Sequence, residues 1–108
     1  MPFRTPEFLI NMTAYVVAQI EIEDPEEYQK YLDGFPPSFQ RHGGKILATT
    51  KNATEVVEGD WAYPRTVILE FPSVEAAHNW HSDPEYAALA SHRHNAANTN
   101  LVIVEGFS

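Results

Sequence analysis

The sequence predicts an α+β domain of ferredoxin-like βαββαβ order, an antiparallel sheet with its helices on one face. Three observations predict it. Runs rich in β-branched and aromatic residues recur at 14–22, 45–50, 65–71 and 100–105. An Asp-Pro-Glu helix start occurs twice, at 24–26 and 83–85. The order is strand-helix-strand, then strand-helix-strand, in two halves of similar length joined by a loop. At 108 residues the chain suits one such domain.

Each element has its own warrant. AYVVAQIEI at 14–22 contains no breaker and reads as a strand. Asp24 can cap the following helix, Pro25 suits its first position, and Glu27 has capping-box spacing. Tyr28, Tyr31, Leu32, Phe35 and Phe39 then form an apolar stripe at spacings of three and four. Pro36-Pro37 predicts a break near Gly34–Phe35, with a second helical piece to about His42. Gly43 is placed for a left-handed cap. KILATT at 45–50 is a short strand, and TEVVE at 54–58 reads as its continuation. A loop around Gly59-Asp60-Trp61 and Pro64 leads to the clearest strand, RTVILEF at 65–71. Ser73 caps a helix through Val74, Ala77 and Trp80. Asp83-Pro84-Glu85 starts another, carrying Tyr86, Leu89 and His92. NLVIVE at 100–105 is the last strand.

Alternation along these strands leaves apolar residues on both faces. Val67, Leu69 and Phe71 oppose Thr66 and Ile68, and Leu101 and Ile103 oppose Val102 and Val104. Helices cover one face only. Sheet-against-sheet pairing with a second copy is therefore expected, at about 25 cal/mol for each Å² of apolar surface removed from water. The chain's expected partner is itself.

Composition narrows the chemistry. Lys and Arg number 7 against 15 Asp and Glu, a net charge of -8, so nucleic acid and anionic membrane are not expected partners. No cysteine is present, which excludes thiolate metal sites, disulfides and a cysteine nucleophile. The sequence has no phosphate loop, nucleophile elbow, zinc-protease motif or dinucleotide fingerprint. No cofactor is expected. No window reaches the roughly 18 apolar residues of a membrane span, and the start has no secretory pattern, so a cytoplasmic location is expected. Residues 1–12 precede the periodic pattern and are expected to be a flexible arm before the domain at 13–108.

Few groups are left to carry chemistry. His42, in the last helical turn beside Gly43-Gly44, suits either the helix dipole or proton transfer at a pocket mouth. Arg65 and Arg93 are two of only four arginines, and either can hold a carboxylate or enolate bidentately. Trp80 and Tyr86 offer an aromatic wall and a hydroxyl, or simply core anchors. His78, His81, His92 and His94 cluster within 17 residues, which suits a metal less well than a tolerant surface helix. Glu58 and Asp60 flank Gly59 in a turn. Glu70 and Glu105 interrupt apolar alternation near strand ends, where a buried carboxylate needs a partner.

AYVVAQIEIEDPEEYQKY, HGGKIL, VVEGDW, RTVILEFPS, WHSDPEY and VIVEGF, in that order, resemble the domain-of-unknown-function 1330 family of the dimeric α/β-barrel superfamily, over about residues 13–107. The resemblance implies a ferredoxin-like protomer whose sheet pairs with another to make a barrel, and it supplies no reaction. His42 falls on the family pattern and the later histidines do not. Superfamily members include cofactor-free monooxygenases, lactone isomerases and haem proteins. The expected function is thus a homodimer with a small-molecule pocket between helices and sheet. Its reaction class would be cofactor-independent oxygenation or isomerisation of a small organic acid, lactone or aromatic. His42 and Arg65 would be catalytic, and Trp80, Tyr86 and Arg93 substrate-binding. The alternatives are a non-catalytic dimerisation or assembly module, and a haem- or metal-binding protein.

Overall fold

A computed structural model describes residues 13–50 and 53–107. The arm expected at 1–12 lies outside these residues. Four strands and three helices follow in order: β1 (Ala14–Ile22), α1 (Pro25–Arg41), β2 (Lys45–Thr49), β3 (Arg65–Phe71), α2 (Val74–Ser82), α3 (Pro84–Ala96) and β4 (Ala97–Glu105). The sheet order is β2-β3-β1-β4, with every neighbouring pair antiparallel. This is the ferredoxin-like α+β arrangement the patterning predicts.

The cap chemistry forms largely as the residues dictate. The Glu27 amide donates to Asp24 Oδ1 at 3.2 Å, and the Ala76 amide donates to Ser73 Oγ at 3.0 Å. Gly43 takes φ 79°, where a side chain would be strained. The capping box is only half made. The Asp24 amide donates to Ala96 O, and the Glu27 carboxylate turns to His92 and Lys30.

Three expectations are corrected. The predicted break at Gly34–Phe35 is absent, and α1 runs unbroken through Pro36 and Pro37. The carbonyls that lose donors there belong to Leu32 and Asp33, both exposed residues, so water can satisfy them. Meanwhile Phe35 and Phe39 hold the helix to the core, with ring centroids 4.7 Å apart, and Phe39 meets Phe71 at 5.5 Å. Gly34 is where α3 comes closest, since a Cβ there would fall 2.5 Å from Leu89 Cδ1. The strand expected at 54–58 does not form. The Thr50 amide still reaches Thr66 O of β3, but further on Thr54 is tied to Pro64 O and to the Thr66 hydroxyl rather than to a strand partner. Finally, β4 begins at Ala97 rather than Asn100, because Ala97, Asn98 and Thr99 find partners in Ile22, Glu21 and Ile20.

Register divides the sheet into two surfaces. Cross-strand rows Arg65–Ile20–Thr99, Val67–Ala18–Leu101 and Leu69–Val16–Ile103 lie beneath the helices. Over them sits a core that includes Tyr28, Tyr31, Phe39, Phe71, Trp80, Tyr86 and Ala90. The opposite face carries Tyr15, Val17, Ile68, Val102 and Val104, and among the described residues no helix covers it. Val102 and Val104 are 52% and 46% exposed, as the two-faced alternation predicts. Among the described residues, no helix is long and apolar enough to cross a membrane.

Candidate functional site

A cavity of about 120 Å³ opens between α1 and the helix-side surface of the sheet. Its origin is visible in the rows. Ala18, at the centre of the floor, is a small residue flanked by Val67 and Leu101, and it leaves space the larger neighbours do not fill. Tyr28, Tyr31, Leu32 and Phe35 of α1 form the roof, with Trp80 and Arg93 from α2 and α3. Leu32 and Ile46, 39% and 56% exposed, mark the mouth between α1 and β2.

The floor is graded. Its end row offers Arg65 and Thr99, the next offers Val67, Ala18 and Leu101, and the third adds Leu69. Arg65 is half-buried. It donates to Thr50 O and to Thr49 Oγ1, both at 3.1 Å, and its guanidinium lies 6.0 Å from the Tyr28 ring. Arg93 is 4% exposed, and its guanidinium lies 5.5 Å from the Tyr31 ring. Burial disfavours its charge, yet the adjoining phenols of Tyr86 and Tyr31 leave its pKa above the ordinary arginine value. Neither arginine meets a carboxylate among the described residues.

Buried polar atoms normally find partners. Among the described residues, the buried atoms that lack one are Ser38 Oγ, Arg65 Nε, Trp80 Nε1, Arg93 Nε and Thr99 Oγ1. All but the first belong to residues lining the cavity. The phenols at the roof are different: the Tyr31 and Tyr86 hydroxyls bond each other at 2.7 Å. Burial, reinforced by Tyr86, holds the Tyr31 hydroxyl far above the ordinary tyrosine pKa, so it stays protonated. Burial also raises Tyr28, against the pull of Arg65 and Arg93. Among the described residues, the lining contains no carboxylate and no imidazole.

The structure thus brings Arg65, Trp80 and Arg93 together around one space, with Tyr86 behind Tyr31. His42 is elsewhere. Its Nε2 lies 2.7 Å from Asp83 Oδ2, which also accepts from Arg41 Nη2 at 2.8 Å. Asp83 Oδ1 meanwhile caps α3 through the Glu85 amide at 2.8 Å. His42 therefore fastens the end of α1 to the α2–α3 junction. Of the other histidines, His92 meets Glu27 at 2.5 Å, while His78 and His81 edge a shallow hollow with Glu105. Among the described residues, no group of three or more His, Cys, Asp or Glu is placed to hold a metal ion. Glu70 pairs across the uncovered face with Tyr15 and Lys45. Three residues of the site escape the sequence reading: Ala18, Tyr31 as a hydrogen-bond partner, and Thr99.

Comparison with known proteins agrees with this architecture. A structural-genomics protein of unknown function from Rhodopseudomonas palustris superposes with a TM-score of 0.73 at 22% identity, over 91% of this chain and 85% of that one. A cofactor-independent oxygenase from Streptomyces nogalater gives 0.64 at 12% identity, over 90% and 95%. A dimeric ferredoxin-like protein of unknown function from Thermobifida fusca gives 0.54 at 9%, over 96% and 100%. No curated protein matches in sequence. These likenesses define a ferredoxin-like α+β protein. More particularly, residues 13–107 match the domain of unknown function DUF1330, and the chain belongs to that family.

Proposed function

We propose that this protein is a homodimer that binds a small organic molecule in the cavity between α1 and the sheet. One observation carries the binding reading: Arg65, Trp80, Arg93 and Thr99, each with a buried polar atom that lacks a partner, line a mostly apolar space. Such a combination, an apolar enclosure with a few convergent polar groups, is the usual form of a ligand site. The dimer reading rests on the apolar face left uncovered by any helix, and the Thermobifida fusca protein of the same fold is described as dimeric. Pairing through that face leaves the cavity on the outer, helix side of each protomer.

Turnover is the second reading, favoured by the likeness to a cofactor-independent oxygenase. The lining has no carboxylate or imidazole to take a proton. A substrate handled here would have to bring its own acidity, with Arg65 and Arg93 stabilising its anion. His42, tied to Asp83 away from the lining, has a fastening role in this proposal rather than a catalytic one.

Sedimentation at micromolar concentration tests the assembly, and a monomer would refute it. A thermal-shift screen of compact aromatic and branched aliphatic compounds tests the cavity. Hits are expected, and they should disappear in Ala18→Leu, which fills the floor. Hits that persist in that variant would place binding elsewhere.

A further inference from the structure

We propose that the cavity is a carboxylate site, taking the monoanion of a compact organic acid with its head against Arg93 and Arg65 and its apolar body over Ala18. The proposal rests on the cavity reading and deepens it.

Charge is the first argument. A guanidinium keeps its proton under all ordinary conditions, and Arg93 is almost wholly buried with no anion beside it among the described residues. A buried charge is normally paired. The Tyr31 ring and the phenols of Tyr86 and Tyr31 offset the lost hydration, but none of them supplies a counter-charge and Nε is left without an acceptor. A second cation adjoins the same wall. Arg65 faces Tyr28, whose ring centroid is 5.6 Å from that of Tyr31. Two positive groups gathered at one end of a cavity, in a chain of net charge -8, leave the negative partner to be supplied from outside.

Geometry selects the class of anion. Arg65 and Thr99 stand in one cross-strand row with Ile20 between them, and Arg93 reaches the same cavity from α3. All three side chains line the cavity. A carboxylate, with two oxygens and about four lone-pair sites, can accept from more than one of them. Inorganic phosphate would meet the same donors but leave the apolar rows empty. Of those rows, Val67, Ala18, Leu101 and Leu69 line the cavity together with Phe35 and Trp80. They call for a hydrocarbon body.

Size follows from the space. An apolar cavity of about 150 Å³ accepts benzene. One of about 120 Å³, with an open mouth at Leu32 and Ile46, suits a body of that order or a short branched chain. Benzoate and 3-methylbutanoate are suitable probes.

Selectivity distinguishes this proposal from simple filling of a greasy hole. A neutral isostere leaves Arg93 unpaired, and a site built for a polar group rejects analogues that lack it. Calorimetric titration of the full chain at pH 7 compares benzoate and 3-methylbutanoate with benzamide, benzyl alcohol and inorganic phosphate. The carboxylates should bind at least tenfold more tightly than any of the three. Arg93→Met should erase that preference while benzamide binding persists, and Arg93→Lys should restore part of it. If Arg93→Met does not fold, Arg65→Met at the more exposed end of the row should reduce the preference in the same direction. Benzamide binding as tightly as benzoate would overturn the carboxylate assignment and leave the cavity reading standing. Phosphate binding as tightly as benzoate would show an ion site that makes no use of the apolar rows, and would overturn the assignment. Binding of none of the organic probes would overturn both.

Discussion

Two polar clusters of this protein, one at the junction of its helices and one in the cavity, handle their hydrogen-bonding groups in opposite ways. At the junction, Asp83 alone accepts from His42, Arg41 and the Glu85 amide, and Arg41 reaches the Glu85 carboxylate as well. Donors and acceptors match. In the cavity, Arg65, Trp80, Arg93 and Thr99 each keep a buried polar atom without a partner. The junction sits toward solvent, where an unmatched donor would cost little, and yet it is closed. The cavity is buried, where an unmatched donor is expensive, and it is open. Stability alone would have arranged the two the other way round. The difference supports reading the first as a fastening and the second as the proposed binding site, without any appeal to the identity of the ligand.

The largest effect that would sharpen this contrast comes from filling the cavity. Ala18→Leu should abolish binding of compact organic acids altogether, with the melting temperature unchanged or raised because the added carbons occupy existing space. A fall in stability typical of overpacking, about 1–3 kcal/mol, would show that the space is not there. Arg93→Met comes next. Carboxylate affinity should fall by about a hundredfold, from loss of charge-assisted hydrogen bonds worth about 1.5–3 kcal/mol. The stability of the unliganded protein should change little, since the lost contacts with Tyr31 and Tyr86 and the relief of desolvation oppose each other. Chemical denaturation measures it. A clear loss of stability would mark Arg93 as a structural residue and break the comparison.

At the junction the signs reverse. Asp83→Ala should lower the melting temperature by a few degrees, through the lost cap and the lost tie between α1 and α3, and carboxylate affinity should not change. The smallest effect is its pH dependence. His42 first, then Arg41, hold the Asp83 carboxyl well below the usual carboxylate range. A carboxyl depressed in the folded state contributes its stability in full above the unfolded value, about pH 4. That contribution fades as pH falls from there through the folded value. The difference in melting temperature between the wild type and Asp83→Asn should therefore be constant near neutrality and shrink below about pH 4. A difference that grows on acidification would contradict the pairing.

Much of this was readable in the sequence, for reasons that differ by residue. Arg65 and Arg93 stood out because cations are scarce in an acidic chain, and scarcity draws attention to any cation within an apolar pattern. The second sheet face was legible because alternation with a period of two shows both faces at once. Thr99 escaped because the last strand was begun at Asn100. Extended to Ala97, its alternation places Thr99 in line with Leu101 and Ile103. Ala18 carried a signal too, a small residue between Val16 and Ile20 on the covered face, but only the neighbouring strands reveal the space it leaves. His42 shows the other limit. Its place at the C-terminal end of α1, where it caps the helix just past Arg41, follows from local pattern. Its partner Asp83 is 41 residues away, and no spacing rule links them. The same holds for Pro36-Pro37, where local chemistry predicts a break and the packing of Phe35 and Phe39 holds the helix together.

The central claim is that the open donors of the cavity await an organic carboxylate. A crystal structure of the full chain grown with benzoate tests it most directly. The ring is expected over Ala18, with a carboxylate oxygen within hydrogen-bonding distance of the Arg93 guanidinium. An empty or collapsed cavity, with Arg93 paired to an acidic side chain of the protein, would contradict it.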